Sequence, residues 1–337
     1  MPERELKYLN KRISVAFSAV ALALTVVGCS SGQSSQASSS APVLVANLEK
    51  TNITVDDFPS VDSAGLYIAQ LDGFFRDEGL NVTINDADAS QQTVSDIEKG
   101  TADISSADYV TYFDNELLDH ASLRIIAEAS TLEPDQLELF VAHGSTINQV
   151  KDLIGKTVAV AGHDDIATLL IDSLLSEDDV PLKDVTVKPG FALPAIPALL
   201  SKHAIDAGPV PEPFVSEGEE QYGMQPLADF DEGATSNFPI QGFAVTQAWA
   251  RKYPNTLRAF VAALSAGQRV ADTDRRALEL ATEKFLKVPP LTAAVMAVPE
   301  FPLAVSVHQL QRVVDDMIQF GFVPARDTSF SVSSMVG

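Results

Sequence analysis

The side chains here that could carry chemistry are carboxylates, hydroxyls, five histidines and one cysteine, and their spacing limits what they can do. His120, His143, His163, His203 and His308 lack the short, fixed separations by which His, Cys and carboxylates share a metal ion, and a lone Cys29 excludes an intrachain disulfide. A G-x-S-x-G string spans residues 28–32, but no strand precedes it and no helix follows, so it is not a nucleophile elbow. No metal, no cofactor and no catalysis are expected. What is left is recognition by hydrogen bonds and stacking. The residues placed for it are Asp57, Phe58, Asp62 and Ser63, then Ser90 and Gln91, Asp108 and Tyr109, His163 and Asp164, Phe191, and Glu212. Each has a plainer role open to it. Asp62 and Ser63 suit a helix N-cap, Ser90-Gln91-Gln92 a solvated cap, and Tyr109 and Phe191 a core; His163-Asp164-Asp165 suits an intramolecular pair at a helix start, and Glu212 a surface position before Pro213.

The elements that must position these residues alternate along the chain. Short β-branched runs at 53–55, 82–84, 102–105, 123–127, 139–142, 157–161, 185–187, 205–207 and 242–246 predict strands. Between them, apolar residues at i, i+3, i+4 spacing predict helices at 65–75, 109–118, 166–175 and 195–200. Alternating strands and helices imply parallel sheets covered on both faces, with ligands bound beyond the carboxyl ends of the strands. After Trp249 the pattern is nearly all helical, at 255–271, 275–286, 291–298 and 308–320, which suits a C-terminal cover on one sheet. No internal repeat is present.

Length and charge set the frame. A chain of 337 residues with 46% hydrophobic residues is globular, and its length suits about two domains. A net charge of −23 opposes the counterion release that drives nucleic-acid binding, so no nucleic-acid partner is expected. The N-terminus reads as an export signal: Arg4, Lys7, Lys11 and Arg12 precede an uncharged apolar run at 13–27, and Gly28-Cys29 follows. The run has 15 residues, fewer than the roughly 20 that span a bilayer. Removing residues 1–28, with four basic and two acidic groups, would take the net charge from −23 to −25. Residues 30–40 are a Ser/Gln/Gly tract with nothing to bury, which suits a flexible tether.

Several motifs carry a resemblance. The stretch 57–69 (DFPSVDSAGLYIA), then 73–82 (GFFRDEGLNV), 100–104 (GTADI), 151–160 (KDLIGKTVAV), Ile205-Asp206-Ala207 leading to Glu212-Pro213, and 252–254 (KYP) together resemble the solute receptors of bacterial ABC importers. The subgroup is the one that includes receptors for alkanesulfonates, taurine, nitrate and thiamine-pyrimidine precursors, and the likeness covers about residues 50–270. Gly28-Cys29 is similar to the lipobox of bacterial lipoproteins, in which the cysteine is lipidated and becomes the N-terminus. The resemblance implies an α/β, two-lobed periplasmic-binding-protein-like fold of type II, with a discontinuous first lobe, two crossing hinge strands and a helical C-terminal cover. Expected boundaries are 1–28 signal peptide, 29–42 tether, 43–138 first lobe, 139–239 second lobe, and 240–337 first lobe again, with crossings at 137–143 and 239–245. It implies an extracytoplasmic, lipid-anchored monomer whose partners are a small solute and the permease subunits of an importer. In the pyrimidine-precursor receptors the opening motif reads roughly Trp-Phe-Pro-Asn-x-Asp-His-Ala-Gly; here Asp57, Ser60 and Ser63 replace the Trp, Asn and His. Glu212 lies where those receptors place a carboxylate. Asp164 and Asp165 stand at a helix start where the anion-binding relatives carry small Ser or Thr, which favours an amino-bearing or heteroaromatic ligand over the alternative, a small anion.

Overall fold

β1 (Asn52–Asp57) buries Ile53 and Val55 on one side of its pleat, and it pairs in parallel with β2 (Asn81–Asp86) and β3 (Ile104–Asp108). The computed structural model that shows this describes residues 47–324 and 330–336, so the expected signal peptide, tether and Cys29 lie outside the described residues. After β4 (Leu123–Thr131) the chain leaves for a second sheet made of β5 (Leu137–Val141), β6 (Thr157–Ala159), β7 (Thr186–Lys188), β8 (Ala207–Pro211) and β9 (Gln225–Asp229), and it returns as β10 (Pro239–Thr246). The strand orders are β2-β1-β3-β10-β4 and β7-β6-β8-β5-β9. Both sheets are wired alike, with one antiparallel strand, β10 or β5, seated between the third and fourth parallel ones. This is the two-lobed α/β architecture expected, with the first lobe assembled from two separate stretches of chain.

The crossings differ from expectation. Residues 137–143 and 239–245 were expected to run between lobes, yet they form β5 and β10 inside the sheets. The links are 132–136 and 230–238. The physical reason is that Leu137 and Leu139 are fully or nearly buried, as are Ile240 and Phe243, and such apolar side chains belong in sheet cores, whereas Pro134 and Asp135 suit an exposed connection. β9 (QPLAD) was not expected, because it has no β-branched residue.

The helices are α1 (Ala64–Asp72), α2 (Phe74–Asp77), α3 (Ser90–Lys99), α4 (Tyr109–Leu117), α5 (Ile166–Glu177), α6 (Ile196–Ser201) and α7 (Phe214–Tyr222), followed by a helical C-terminal run. That run is α8 (Gln247–Lys252), α9 (Pro254–Thr273), α10 (Arg275–Phe285), α11 (Pro290–Val295) and α12 (Val307–Phe320). One core packs α1, α2, α9 and α10 on the first sheet around Leu66, Phe75, Phe260 and Leu264. There α1 and α9 approach at glycines: a Cβ on Gly267 would fall on the Gly65 carbonyl oxygen. A second core, around Phe113, Leu169, Leu170, Leu310 and Met317, joins α4, α5 and α12, so α12 touches both lobes instead of covering one sheet only. A third packs α6 and α7 on the second sheet around Phe140, Ile196 and Val210. Among the described residues no helix is long and apolar enough to cross a membrane.

Candidate functional site

At the carboxyl end of the first sheet, β1, β3 and β10 contribute Asp57, Ser106 and Gln241 to a network of six polar side chains, completed by Ser60, Ser63 and Tyr67. The Asp57 carboxylate ends β1 and accepts from the Ser63 hydroxyl at 2.6 Å and the Tyr67 hydroxyl at 2.5 Å. Gln241 of β10 donates from Nε2 to Ser63 Oγ at 2.9 Å and Ser106 Oγ at 2.8 Å, and its Oε1 accepts from Ser60 at 3.1 Å. Burial raises the Asp57 carboxyl above its usual range despite these donors. Asp57 and Ser63 thus face each other, but their hydrogen bonds are spent on one another. Gln241, Ser106 and Tyr67 are the partners that sequence reasoning missed. Gln241 lies 178 residues from Ser63, and no local spacing signals that meeting.

The neighbouring expected residues take mixed roles. Phe58 is half-buried just beyond β1, its amide donating to the Ser106 carbonyl. Asp62 is buried and accepts from Gln136 Nε2 at 3.0 Å, a contact between the first lobe and the crossing segment. Ser90 opens α3 and accepts from the Asp108 amide at 3.3 Å, while Gln91 is exposed and pairs with Asn115; both were expected in a loop. Asp108 caps α4, accepting from the Thr111 amide and hydroxyl at 2.9 and 2.8 Å. Tyr109 departs from expectation: it is core, not a stacking surface. Its ring is fully buried against Phe113 and Tyr112 and crowds Gly242, where any Cβ would strike its hydroxyl. An aromatic at the first position of α4 packs down onto β10 rather than outward.

In the second lobe the same end of the sheet carries His163 and Asp164, both exposed and paired with each other at 3.1 Å. That contact raises the His163 imidazole above its usual range. Asp165 is the N-cap of α5, accepting from the amides of Thr168 and Gly162. Phe191 is half-buried with the Lys188 ammonium 5.6 Å above its ring. Glu212 is buried, against the plainer expectation of a surface position. It accepts from the Ser216 amide and hydroxyl at the start of α7, and from the Ala297 amide of the first lobe at 3.0 Å, so it ties the lobes together.

The electrostatics of this junction are one-sided. Burial raises Asp114, Asp172 to about 6, and Glu212, with neighbouring carboxylates adding to each shift. Glu128 of β4, which accepts from the Ser306 amide, rises to about 7, and Glu138 of β5 to about 8. Among the described residues the ion pairs are at Asp103, Asp164, Glu279 and Glu283, and of these the exposed His163–Asp164 pair lies in this region. No group of three or more His, Cys, Asp or Glu among the described residues is arranged to hold a metal ion. The arrangement can bind and release a donor-bearing molecule.

A family profile described as NMT1/THI5 like matches residues 60–274. No curated protein sequence matches the chain. Among solved structures, the alkanesulfonate-binding protein SsuA from Xanthomonas axonopodis pv. citri, bound to MOPS, is similar at 15% identity and a TM-score of 0.71, over 86% of this chain and 98% of that one. The ligand-binding component of an ABC-type import system from Staphylococcus aureus is similar at 13% identity and a TM-score of 0.72, over 86% and 97%. The nitrate-binding protein NrtA from Synechocystis PCC 6803 follows at 15% identity and 0.68, over 82% and 83%. These likenesses show a shared periplasmic-binding-protein fold.

Proposed function

Because the chain belongs to the NMT1/THI5-like family, we propose that it is the extracytoplasmic substrate-binding protein of an ABC-type importer, lipid-anchored through Cys29 and closing its two lobes around one small solute. The observation that carries this reading is the contact made across the lobe junction from Glu212 to Ala297. Contacts of this kind exist only when the lobes are together, so a ligand that fits the joined state stabilises it. The protein binds without transforming its ligand. The proposed contacts are Phe58, Asp62, Ser63, His163, Asp164, Phe191 and Glu212, with Asp57, Ser90, Gln91 and Asp108 holding the surrounding backbone and Tyr109 supporting them from the core.

For the ligand, the proposal is an amino-bearing or heteroaromatic solute of the thiamine-pyrimidine-precursor kind. The acceptor-rich junction supports it. A small anion is the second reading, favoured by the alkanesulfonate and nitrate named for the two similar receptors. Small-angle scattering with and without a binding compound tests the receptor role. Compaction together with an unchanged compound is expected. Tight binding without compaction, or turnover of the compound, would sink it.

A further inference from the structure

Five carboxylates meet at the cleft-facing end of the second sheet. Glu138 is the second residue of β5 and pairs directly with Asp229 of β9 on one side and Val210 of β8 on the other. Residues opposite one another across an antiparallel pair point to the same face, so Asp229 shares the face of Glu138. Glu212, two residues beyond Val210, continues along that face. Asp135, Glu219 and these two are the carboxylates whose charge reaches Glu138.

One buried acceptor in this cluster lacks a donor, and beside it a second residue makes no side-chain hydrogen bond. Glu138 is 7% exposed, and no hydrogen bond reaches its carboxylate among the described residues. Gln136 is 4% exposed; its Nε2 is committed to Asp62, and its Oε1 is buried without a donor. The Gln136 backbone carbonyl accepts from the Glu212 amide, which fixes this residue against the cluster. Buried acceptors without donors are costly, and buried carboxylates beside each other more so, unless something supplies protons and positive charge. No arginine, lysine or histidine forms an ion pair with Glu138, Glu212, Asp229, Asp135 or Glu219 among the described residues.

We infer that Glu138 and Gln136 Oε1, backed by Glu212, form a subsite for an organic cation, so that the solute carries an ammonium, amidinium or guanidinium group. This deepens the receptor reading and rests on it. The subsite is separate from the network around Asp57, whose hydrogen bonds are already satisfied internally. A hydrophilic cation entering here gives the acceptors their donors and offsets the burial, and behind it the neighbouring negative charge, that raises the Glu138 carboxyl. It also couples binding to closure, because Glu212 holds Ala297 of the first lobe from the same cluster.

Thermal-shift and calorimetric titration of the full chain with putrescine, agmatine, a 4-aminopyrimidine bearing an aminomethyl group, taurine, methanesulfonate, nitrate and Ca²⁺ tests this. At least one of the three organic cations should raise Tm at millimolar concentration. Glu138→Gln, which keeps the shape and removes the charge, should weaken that cation at least tenfold while raising the ligand-free Tm. Asp135→Asn is a second variant that leaves the backbone undisturbed: residue 135 is exposed with φ 65°, a conformation asparagine tolerates. It should weaken the cation several-fold. Cation binding unaffected by Glu138→Gln would overturn the subsite, and so would the absence of stabilisation by any of the three cations. If taurine, methanesulfonate or nitrate bound instead and compacted the protein in scattering, the receptor reading would stand and this inference would fall.

Discussion

At Asp57 a buried carboxylate keeps its place because two hydroxyls are aimed at it, and this makes its donors more important than their size suggests. Removing one leaves part of the desolvation uncompensated, typically about 1–3 kcal/mol. Tyr67→Phe is therefore expected to lower Tm by roughly 2–12 °C, at about 2–4 °C per kcal/mol for larger domains, measured by calorimetry. Glu128 and Glu138 carry the opposite lesson. Their folded pKa values, about 7 and about 8, lie above the ordinary glutamate value of 4.5. Between those limits the folded state holds more protons than the unfolded one, so stability is greatest below about pH 4.5 as far as these groups are concerned. It falls as pH rises toward 8. The expected outcome is a Tm that climbs between pH 8 and pH 5.5, with a shallower slope in Glu138→Gln; a Tm that instead declined over that interval would contradict the burial of both groups. The legibility of this site from sequence was uneven in the same physical sense. Asp57, Ser63 and Glu212 stand in loops after strand patterns and could be picked out. Gln241, Gln136 and Glu138 could not, because their partners come from distant segments, although a glutamate inside the apolar run LELFV was a signal open to reading.

Helices and strands were visible wherever their own side chains decide their structure. Most strands are β-branched on a buried face, and α9, α10 and α12 carry clear apolar stripes, so their ranges were readable to within a few residues. α3 (SQQTVSDIEK) is largely polar, and only Thr93, Val94 and Ile97 hold it to the sheet, so its first turn passed for a loop. β9 exists because β5 offers it an edge, which no local propensity reports. The glycines were not legible either. Gly267 is required by the close passage of α9 over α1, where there is no room for a methyl group against the backbone of Gly65. Gly267→Ala must push two packed helices apart, and overpacking of that kind costs about 1–3 kcal/mol. Chemical denaturation should show a midpoint shifted down with an unchanged slope. A neutral outcome would mean the two helices are free to separate.

For the molecule as a whole, attachment and closure belong together. A receptor that must hand its solute to a membrane subunit gains from being held near it. Membrane-extracted protein is accordingly expected to begin at Cys29 with a diacylglyceryl group by mass spectrometry, and Cys29→Ala to leave residues 1–28 in place. An unmodified N-terminus beyond Ser40 would refute the anchor. Between the lobes, the second crossing is held from both sides. Arg312 of α12 donates to the carbonyls of Ala234, Ser236 and Asn237, while Glu177 of α5 accepts from the Ala234 amide. Any hinge motion passes through a segment gripped by both lobes.

The seating of β10 between β3 and β4 has a consequence for the order in which the chain can acquire its structure. The second sheet is complete within 137–229, a contiguous stretch. The first sheet has a gap between β3 and β4 until residue 246 has been made, and until then these two strands present unpaired edges. Since domains generally fold as the chain emerges from its N-terminus, the second sheet can organise before the first. A fragment of residues 132–238 should show cooperative unfolding by circular dichroism, whereas one of residues 47–131 should remain unstructured or aggregate. The first-lobe strands therefore stay in need of protection until β10 has joined them.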